Sequence, residues 1–207
     1  LPPMTQEYKS ILLVCDGNTY RVAGKRVENL LEGKIGGRLI YTGESFVVPN
    51  EAAVADLTAC VTAKTDLIVG VGSGVINDLC KYVANDQNLP YYIVATAPSM
   101  DGYASKGAAM IFDSMKITTS AAVPAAIICD TEILKDAPMD MIKAGYGDII
   151  GKYSALNDWK LSHCINDEYF CDYIYNLTYS CCNWAFMQYH INGSSKRIIE
   201  SQTTHFS

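Results

Sequence analysis

Residues 69–82 read VGVGSGVINDLCKY. An apolar run passes through three alternating glycines, Gly70, Gly72 and Gly74, and a helix-like pattern follows. Glycines let a backbone approach a ligand closely, and the first N–H groups of a helix have no intrahelical partner. A phosphate or pyrophosphate suits that end of a helix. The stretch is not a Walker A loop, because no Gly-Lys-Ser/Thr follows the required spacer. It is not the G-x-G-x-x-G fingerprint either, since the third glycine would fall at Val75 and the stretch follows the third strand-like run. A strand-to-helix turn without a ligand is the competing reading, and Asp78 and Lys81, three apart, suit a simple ion pair.

Outward from this turn the chain alternates strand-like and helix-like runs. ILLVCD (11–16), RLIYT (38–42), TDLIVGVG (65–72), YYIVAT (91–96) and AAIICD (125–130) predict five strands. None shows polar alternation, so they predict strands buried on both faces, as in a parallel sheet. RVAGKRVENLLE predicts a helix with Val22, Val27, Leu30 and Leu31 on one side. Asn50 predicts an N-cap with Glu51 in the first turn, and VINDLCKYVAN predicts the helix after the glycines. The fold class is therefore α/β, a doubly wound, mostly parallel sheet. Near Pro138 the character changes. IIGKYSALNDWKLSHCI and EYFCDYIYNLTYSCCNWAFMQYH predict helices, giving an α/β domain over 1–136 and the start of an all-helical domain over 137–207. A cleft between them, at the carboxyl ends of the strands, is the expected ligand site.

Two further stretches lie at that edge. TAPSMDGYAS (96–105) follows a predicted strand and carries hydroxyls, Gly102 and Asp101 in one loop. AGYGDIIGKYSALNDW places Asp148 after two glycines, where a helix is predicted to begin and an N-cap role would suffice.

Composition narrows the function classes. The chain has 207 residues, 49% of them hydrophobic, and a net charge of −6 with scattered basic residues, which argues against a nucleic-acid or anionic-membrane partner. No apolar run reaches the length of a membrane span. LPPMTQEYKS reads as neither a signal nor a transit peptide. Eight cysteines without a CxxC pair predict reduced, buried thiols and a cytoplasmic location.

CDGNTY, GVGSGVINDLCKY, ATAPSMDGYAS and AGYGDIIGKYSALNDW stand in that order. Together they make the chain resemble the superfamily of dehydroquinate synthase, glycerol dehydrogenase and iron-type alcohol dehydrogenases, and within it the glycerol-1-phosphate dehydrogenases. The resemblance runs from about residue 11 to about residue 179, and implies that 1–136 is the nucleotide-binding domain and 137–207 the start of the metal and substrate domain. It implies NAD or NADP as cofactor, with Asp16 near the adenosine, Gly72, Ser73, Gly74, Val75 and Ile76 cradling the pyrophosphate, and Thr96, Ala97, Pro98, Ser99 and Ser105 as further contacts. Glu44 hints at a ribose hydroxyl contact. The resemblance implies Asp101 as a substrate contact and Asp148 as a catalytic metal ligand beside the substrate, the metal being zinc or nickel.

The implied reaction is reversible hydride transfer between dihydroxyacetone phosphate and glycerol 1-phosphate, feeding glycerophospholipid synthesis. The implied assembly is a homo-oligomer, a dimer. Lys106, Lys116 and Lys152 are candidate phosphate partners by loop proximity. Two histidine ligands expected downstream have no match in His163, His190 or His205. The chain therefore reads as a truncated member, expected to lack turnover by itself. The alternatives are a glycerol dehydrogenase or other superfamily enzyme, and a nucleotide-binding fragment without catalysis.

Overall fold

A computed structural model describes residues 1–42 and 47–192, residues 188–192 by backbone alone. Two compact units emerge, one of Leu1–Ala97 with Gly102–Leu134 and one of Pro98–Asp101 with Lys135–Ser207.

The first unit is built on five parallel strands in the order β2-β1-β3-β4-β7. These are β1 (Ile11–Asp16), β2 (Ile35–Tyr41), β3 (Leu67–Gly72), β4 (Tyr91–Ala95) and β7 (Ala126–Cys129). The uninterrupted apolar runs became the three central strands, each buried along nearly its whole length. The edge strands β2 and β7 alternate in exposure. From β1 the chain steps one way to β2 and the other way to β3, so the order reverses between β1 and β3. In open α/β sheets a crevice forms at such a point, beyond the carboxyl ends of the strands.

One sheet face packs Leu13, Cys15, Val69, Val71 and Val94 against Ala23, Val27 and Leu31. Those last three come from a helical stretch of α1 (Gly17–Thr19), a π turn (Tyr20–Gly24) and α2 (Lys25–Leu30), with Leu31 as its C-cap. The expected face was wrong at two positions, for Val22 and Leu30 are exposed. The π turn widens the helix by one residue and rotates Ala23, Val27 and Leu31 inward.

Helix α3 (Glu51–Cys60) starts as expected, with Asn50 Oδ1 accepting from Ala53 N at 3.1 Å. Helix α4 (Gly74–Asp86) buries Ile76, Leu79, Cys80, Val83 and Ala84. Gly70 lets it lie close on β3, where a Cβ would stand 2.9 Å from Cys80 Sγ. It ends with Asn88 at φ 52, Leu89 N donating to Ala84 O at 2.9 Å and Asn88 N to Asn85 O at 3.4 Å. That pair of bonds is a Schellman motif.

The sequence reading did not foresee the antiparallel hairpin of β5 (Gly107–Phe112) and β6 (Met115–Ser120). Its two-residue turn, Asp113 and Ser114, has φ of 51° and 62°, as a type I′ turn requires. The unit closes with α5 (Thr131–Leu134).

The second unit holds α6 (Met139–Asn166) and α7 (Asp172–Asn192). Pro138 stands at the N-cap of α6, and Asp167, at φ 55, ends it by donating its N–H to His163 O at 3.1 Å. Trp159 Nε1 donates to Tyr169 O at 2.8 Å, and the His163 ring stacks on Phe170 at 5.4 Å, tying the α6–α7 turn together. Not all thiols are buried as expected. Cys15, Cys80 and Cys182 are, whereas Cys129, Cys164 and Cys181 are exposed. No helix among the described residues is long and apolar enough to cross a membrane.

Candidate functional site

Asp16 and Gly72 end the two strands that flank the order reversal. Asp16 caps the following helix, its Oδ1 accepting from Asn18 N and Thr19 N at 2.8 Å each. Thr19 Oγ1 returns an acceptor to Asp16 N at 3.0 Å, completing a capping box. Among the described residues both bonds to the side chain fall on Oδ1, which leaves Oδ2 to accept from a donor such as a ribose hydroxyl. Glu44 lies outside the described residues.

Beyond Gly72, Ser73 is the N-cap of α4, yet its side chain caps nothing. The first ladder bond runs from Asn77 N to Ser73 O at 2.9 Å. The N–H groups of Gly74, Val75 and Ile76 therefore precede the ladder with no side-chain cap, which is the geometry that takes an anion. The space a Cβ on Gly72 would need belongs to Ile76, whose Cβ would stand 2.6 Å away. Close packing of Ile76 thus already demands glycine there, in addition to any ligand. Thr96 joins this turn directly, its N–H donating to Gly72 O at 3.1 Å. Ala97 is buried, and its carbonyl accepts from Tyr103 Oη at 2.7 Å. Ser105 Oγ accepts from Lys81 Nζ at 3.1 Å. Lys81 escaped the sequence reading as anything but a partner for Asp78. The available signal was its place among core-facing neighbours, Leu79, Cys80, Val83 and Ala84. The concavity lined by Val61, Thr62, Gln87 and Leu89 lies at the opposite, amino end of the sheet.

Pro98, Ser99 and Asp101 belong to the second unit. There the loop lies against α6 at Gly145, where an added Cβ would overlap the Pro98 carbonyl oxygen and stand 2.9 Å from its carbon. Asp148 does not begin a helix, as the sequence suggested; it sits inside α6. Its Oδ2 accepts from Asp101 N at 2.8 Å, and Lys152 Nζ pairs with Asp101 Oδ2 at 2.8 Å. Burial pushes the Asp148 pKa up, but the Asp101 amide and the Lys152 charge outweigh it and hold the carboxyl below its ordinary value. Burial likewise opposes the Lys152 charge, but Asp101 and Asp148 prevail and raise its pKa. Lys152 is thus the candidate phosphate lysine brought to the carboxylates, while Lys106 is exposed beside Ser105 and Lys116 is exposed on β6.

The fit to a metal can be tested on these donors. Asp148 Oδ2 is occupied by an amide and Asp101 Oδ2 by an ammonium. Among the described residues no three His, Cys, Asp or Glu side chains gather as a metal site. His163 Nδ1 is engaged at 2.7 Å with Glu168 O. The His190 side chain and all of His205 lie outside what is described. One carboxylate does not fit a catalytic zinc, which takes three protein ligands.

Comparison with known proteins completes the picture. The family described as "Iron-containing alcohol dehydrogenase" matches residues 4–138. The chain is 37% identical over 174 residues to a glycerol-1-phosphate dehydrogenase [NAD(P)+] of Halalkalibacterium halodurans, covering 82% of this chain and 44% of that protein. It is 38% identical over 170 residues to the enzyme of the same name from Bacillus subtilis, covering 76% and 41%. The chain thus spans less than half the length of these curated relatives. Among solved structures, glycerol dehydrogenase from Schizosaccharomyces pombe superposes with a TM-score of 0.61 at 24% identity, over 72% of this chain and 39% of that one. A 2-deoxy-scyllo-inosose synthase complexed with carbaglucose-6-phosphate, NAD+ and Co2+ superposes with a TM-score of 0.58 at 20% identity, over 70% and 43%. These two share the fold.

Proposed function

The chain belongs to the iron-containing alcohol dehydrogenase family, and from that premise we propose that it carries the nucleotide-binding part and the substrate carboxylates of an NAD(P)-dependent glycerol-1-phosphate dehydrogenase. The observation that carries this reading is the Asp101–Asp148–Lys152 constellation in the loop and helix that follow a nucleotide-type sheet edge. The names of the relatives support the choice of substrate. When bound, a reduced nicotinamide would supply the hydride that, with one proton, converts the C2 ketone of dihydroxyacetone phosphate to the alcohol of glycerol 1-phosphate.

Each residue then has a task. Asp16 Oδ2 takes a ribose hydroxyl of the adenosine. The N–H groups after Ser73 take the pyrophosphate. Thr96, Ala97, Pro98, Ser99 and Ser105 line the rest of the cofactor. Asp101, its backbone fixed by Asp148, accepts from substrate hydroxyls, and Lys152 offsets the substrate phosphate. A divalent ion would polarise the C2 oxygen, and of the described residues only Asp148 is offered to hold it.

The test is NADH binding followed by oxidation of NADH with dihydroxyacetone phosphate and with dihydroxyacetone. Preference for the phosphorylated ketone supports the reading, and equal kcat/KM on both refutes it. NADH binding without turnover on either ketone favours the nucleotide-binding alternative.

A further inference from the structure

Lys81 lies on α4, its side chain wholly out of solvent. Its Nζ donates to Gly102 O at 3.1 Å, Ser105 Oγ at 3.1 Å and Gly107 O at 3.0 Å. Three bonds use all three hydrogens of an ammonium, whereas a neutral amine has only two. The geometry therefore asks for the charged form. Its counter-charge is Asp78, with Oδ1 at 3.9 Å. Asp78 Oδ2 in turn accepts from Ala109 N at 3.2 Å. Two side chains one turn apart on α4 thus grip the chain at residues 102, 105, 107 and 109.

Burial works against both charges. It lowers the Lys81 pKa, against the pull of Asp78, and raises that of Asp78, against the Ala109 amide and Lys81. Well-packed apolar side chains commonly match or exceed a buried ion pair in stability. A stability role alone is thus a weak account of this pair, and the geometry it imposes is the stronger one.

That geometry bears on Ser105. Its hydroxyl gives one lone pair to Lys81, and its single hydrogen is directed at Gly102 O (2.9 Å) or Gly107 O (3.1 Å). What remains for a ligand is one acceptor lone pair. Ser105 so held suits a donor, such as a ribose hydroxyl or a carboxamide N–H, and not a phosphate oxygen.

We propose that Lys81 is a positioning residue for nucleotide binding, locking the Ser105 hydroxyl and the 102–107 backbone to the same helix whose N-terminus forms the glycine turn. The proposal rests on the reading of residues 72–76 and Ser105 as cofactor contacts. The two contact segments then meet the cofactor as one piece, with Ser105 fixed as an acceptor.

The test titrates NADH by fluorescence into the full chain, Lys81→Met, Ser105→Ala and the double variant, each checked for folding by its melting curve. Lys81→Met keeps the length of the side chain and removes the ammonium. It is expected to weaken NADH binding at least fivefold. The double variant should lie within twofold of Lys81→Met, because Ser105 is already released there. A folded Lys81→Met with Kd within twofold of wild type, or effects that simply multiply, overturns the proposal. A purely structural lysine would lower the melting temperature and leave Kd alone. Should Lys81→Met fail to fold, hydrogen exchange of the wild-type chain decides. NADH should slow exchange at residues 102–107 together with 72–76, and protection of 72–76 alone overturns the proposal. A wild-type chain that binds no NADH overturns the nucleotide reading itself, and this proposal with it.

Discussion

Gly145→Ala is the sharpest probe of the second unit. In an exposed helix interior, replacing glycine by alanine stabilises by about 1 kcal/mol. Here the new Cβ would overlap the Pro98 carbonyl oxygen, stand 2.9 Å from its carbon and 3.4 Å from the Ser99 carbonyl carbon. These neighbours are backbone and cannot rotate aside. To restore ordinary contacts of about 3.5–4.0 Å the loop must retreat by roughly 1–2 Å. The bond from Asp101 N to Asp148 Oδ2, now 2.8 Å, would then open past hydrogen-bonding distance. Overpacking costs about 1–3 kcal/mol. The lost bond to a carboxylate adds about 1 kcal/mol, less than a fully buried one because Asp101 is exposed. After the gain in helix propensity, the net loss is about 1–3 kcal/mol.

Gly147→Ala and Gly151→Ala are the internal controls, since a Cβ at either meets nothing within 4 Å. Both should stabilise by about 0.5–1 kcal/mol. Both tryptophans, Trp159 and Trp184, lie in the second unit, so urea unfolding followed by their fluorescence reports on it. Hydrogen exchange at the Asp101 amide reports the bond itself. A Gly145→Ala chain as stable as Gly147→Ala, with the Asp101 amide equally protected, would refute the reasoning.

Three other outcomes are expected. Gly72→Ala should destabilise by about 1–3 kcal/mol, because its Cβ stands 2.6 Å from Ile76 Cβ. Adding Ile76→Ala should relieve that strain, as denaturant midpoints will show. Asn50→Ala removes the cap on Ala53 N and should cost about 1 kcal/mol of thermal stability. The second unit should also weaken in acid. Because the folded Asp148 pKa is lowered, its contribution is complete above the ordinary carboxylate value of about 4 and is lost as pH falls through the lowered one. Lys152, with a raised pKa, contributes fully below the ordinary lysine value and loses that contribution as pH rises through the raised one. Asp148→Asn should flatten the acid limb of a fluorescence-monitored pH titration and reduce the alkaline limb, which the Asp101 charge still sustains.

The sheet was legible because burial on both faces leaves a continuous apolar run, and ILLVCD, LIVGVG and YYIVA became the three central strands. Asn50 announced its helix through local capping chemistry, which depends on no distant partner. What failed depended on partners the sequence does not order. Val22 and Leu30 were misplaced because a π turn has no composition signature of its own. The β5–β6 hairpin turns on Asp113-Ser114, a weaker signal for positive φ than Asn-Gly. Gly145 and Gly147 read as helix breakers ahead of Asp148, yet both lie within α6. Gly145 is there so that a loop distant in sequence can approach, and helix propensity carries no trace of that loop.

The same approach shapes how the proposed chemistry is divided. Residues 98–101 leave the sheet unit and are counted with the helices, while Ala97 and Gly102 on either side stay with the sheet. The neck of this excursion is closed by Tyr103 Oη on Ala97 O, and its return is gripped by Lys81 on Gly102 O. Its tip is held separately, by Asp148 on Asp101 N and by Lys152 on the Asp101 carboxylate. Perturbing Lys81 or Gly72 should therefore act first on the nucleotide, and perturbing Gly145 or Asp148 first on the carboxylates. A variant from the first pair that weakens NADH binding while leaving the Asp101 amide protected, and one from the second that does the reverse, would establish the two grips as independent. If instead every variant shifts both readouts in proportion, the 96–105 loop responds as one cooperative segment, and assigning its contacts to separate tasks is mistaken.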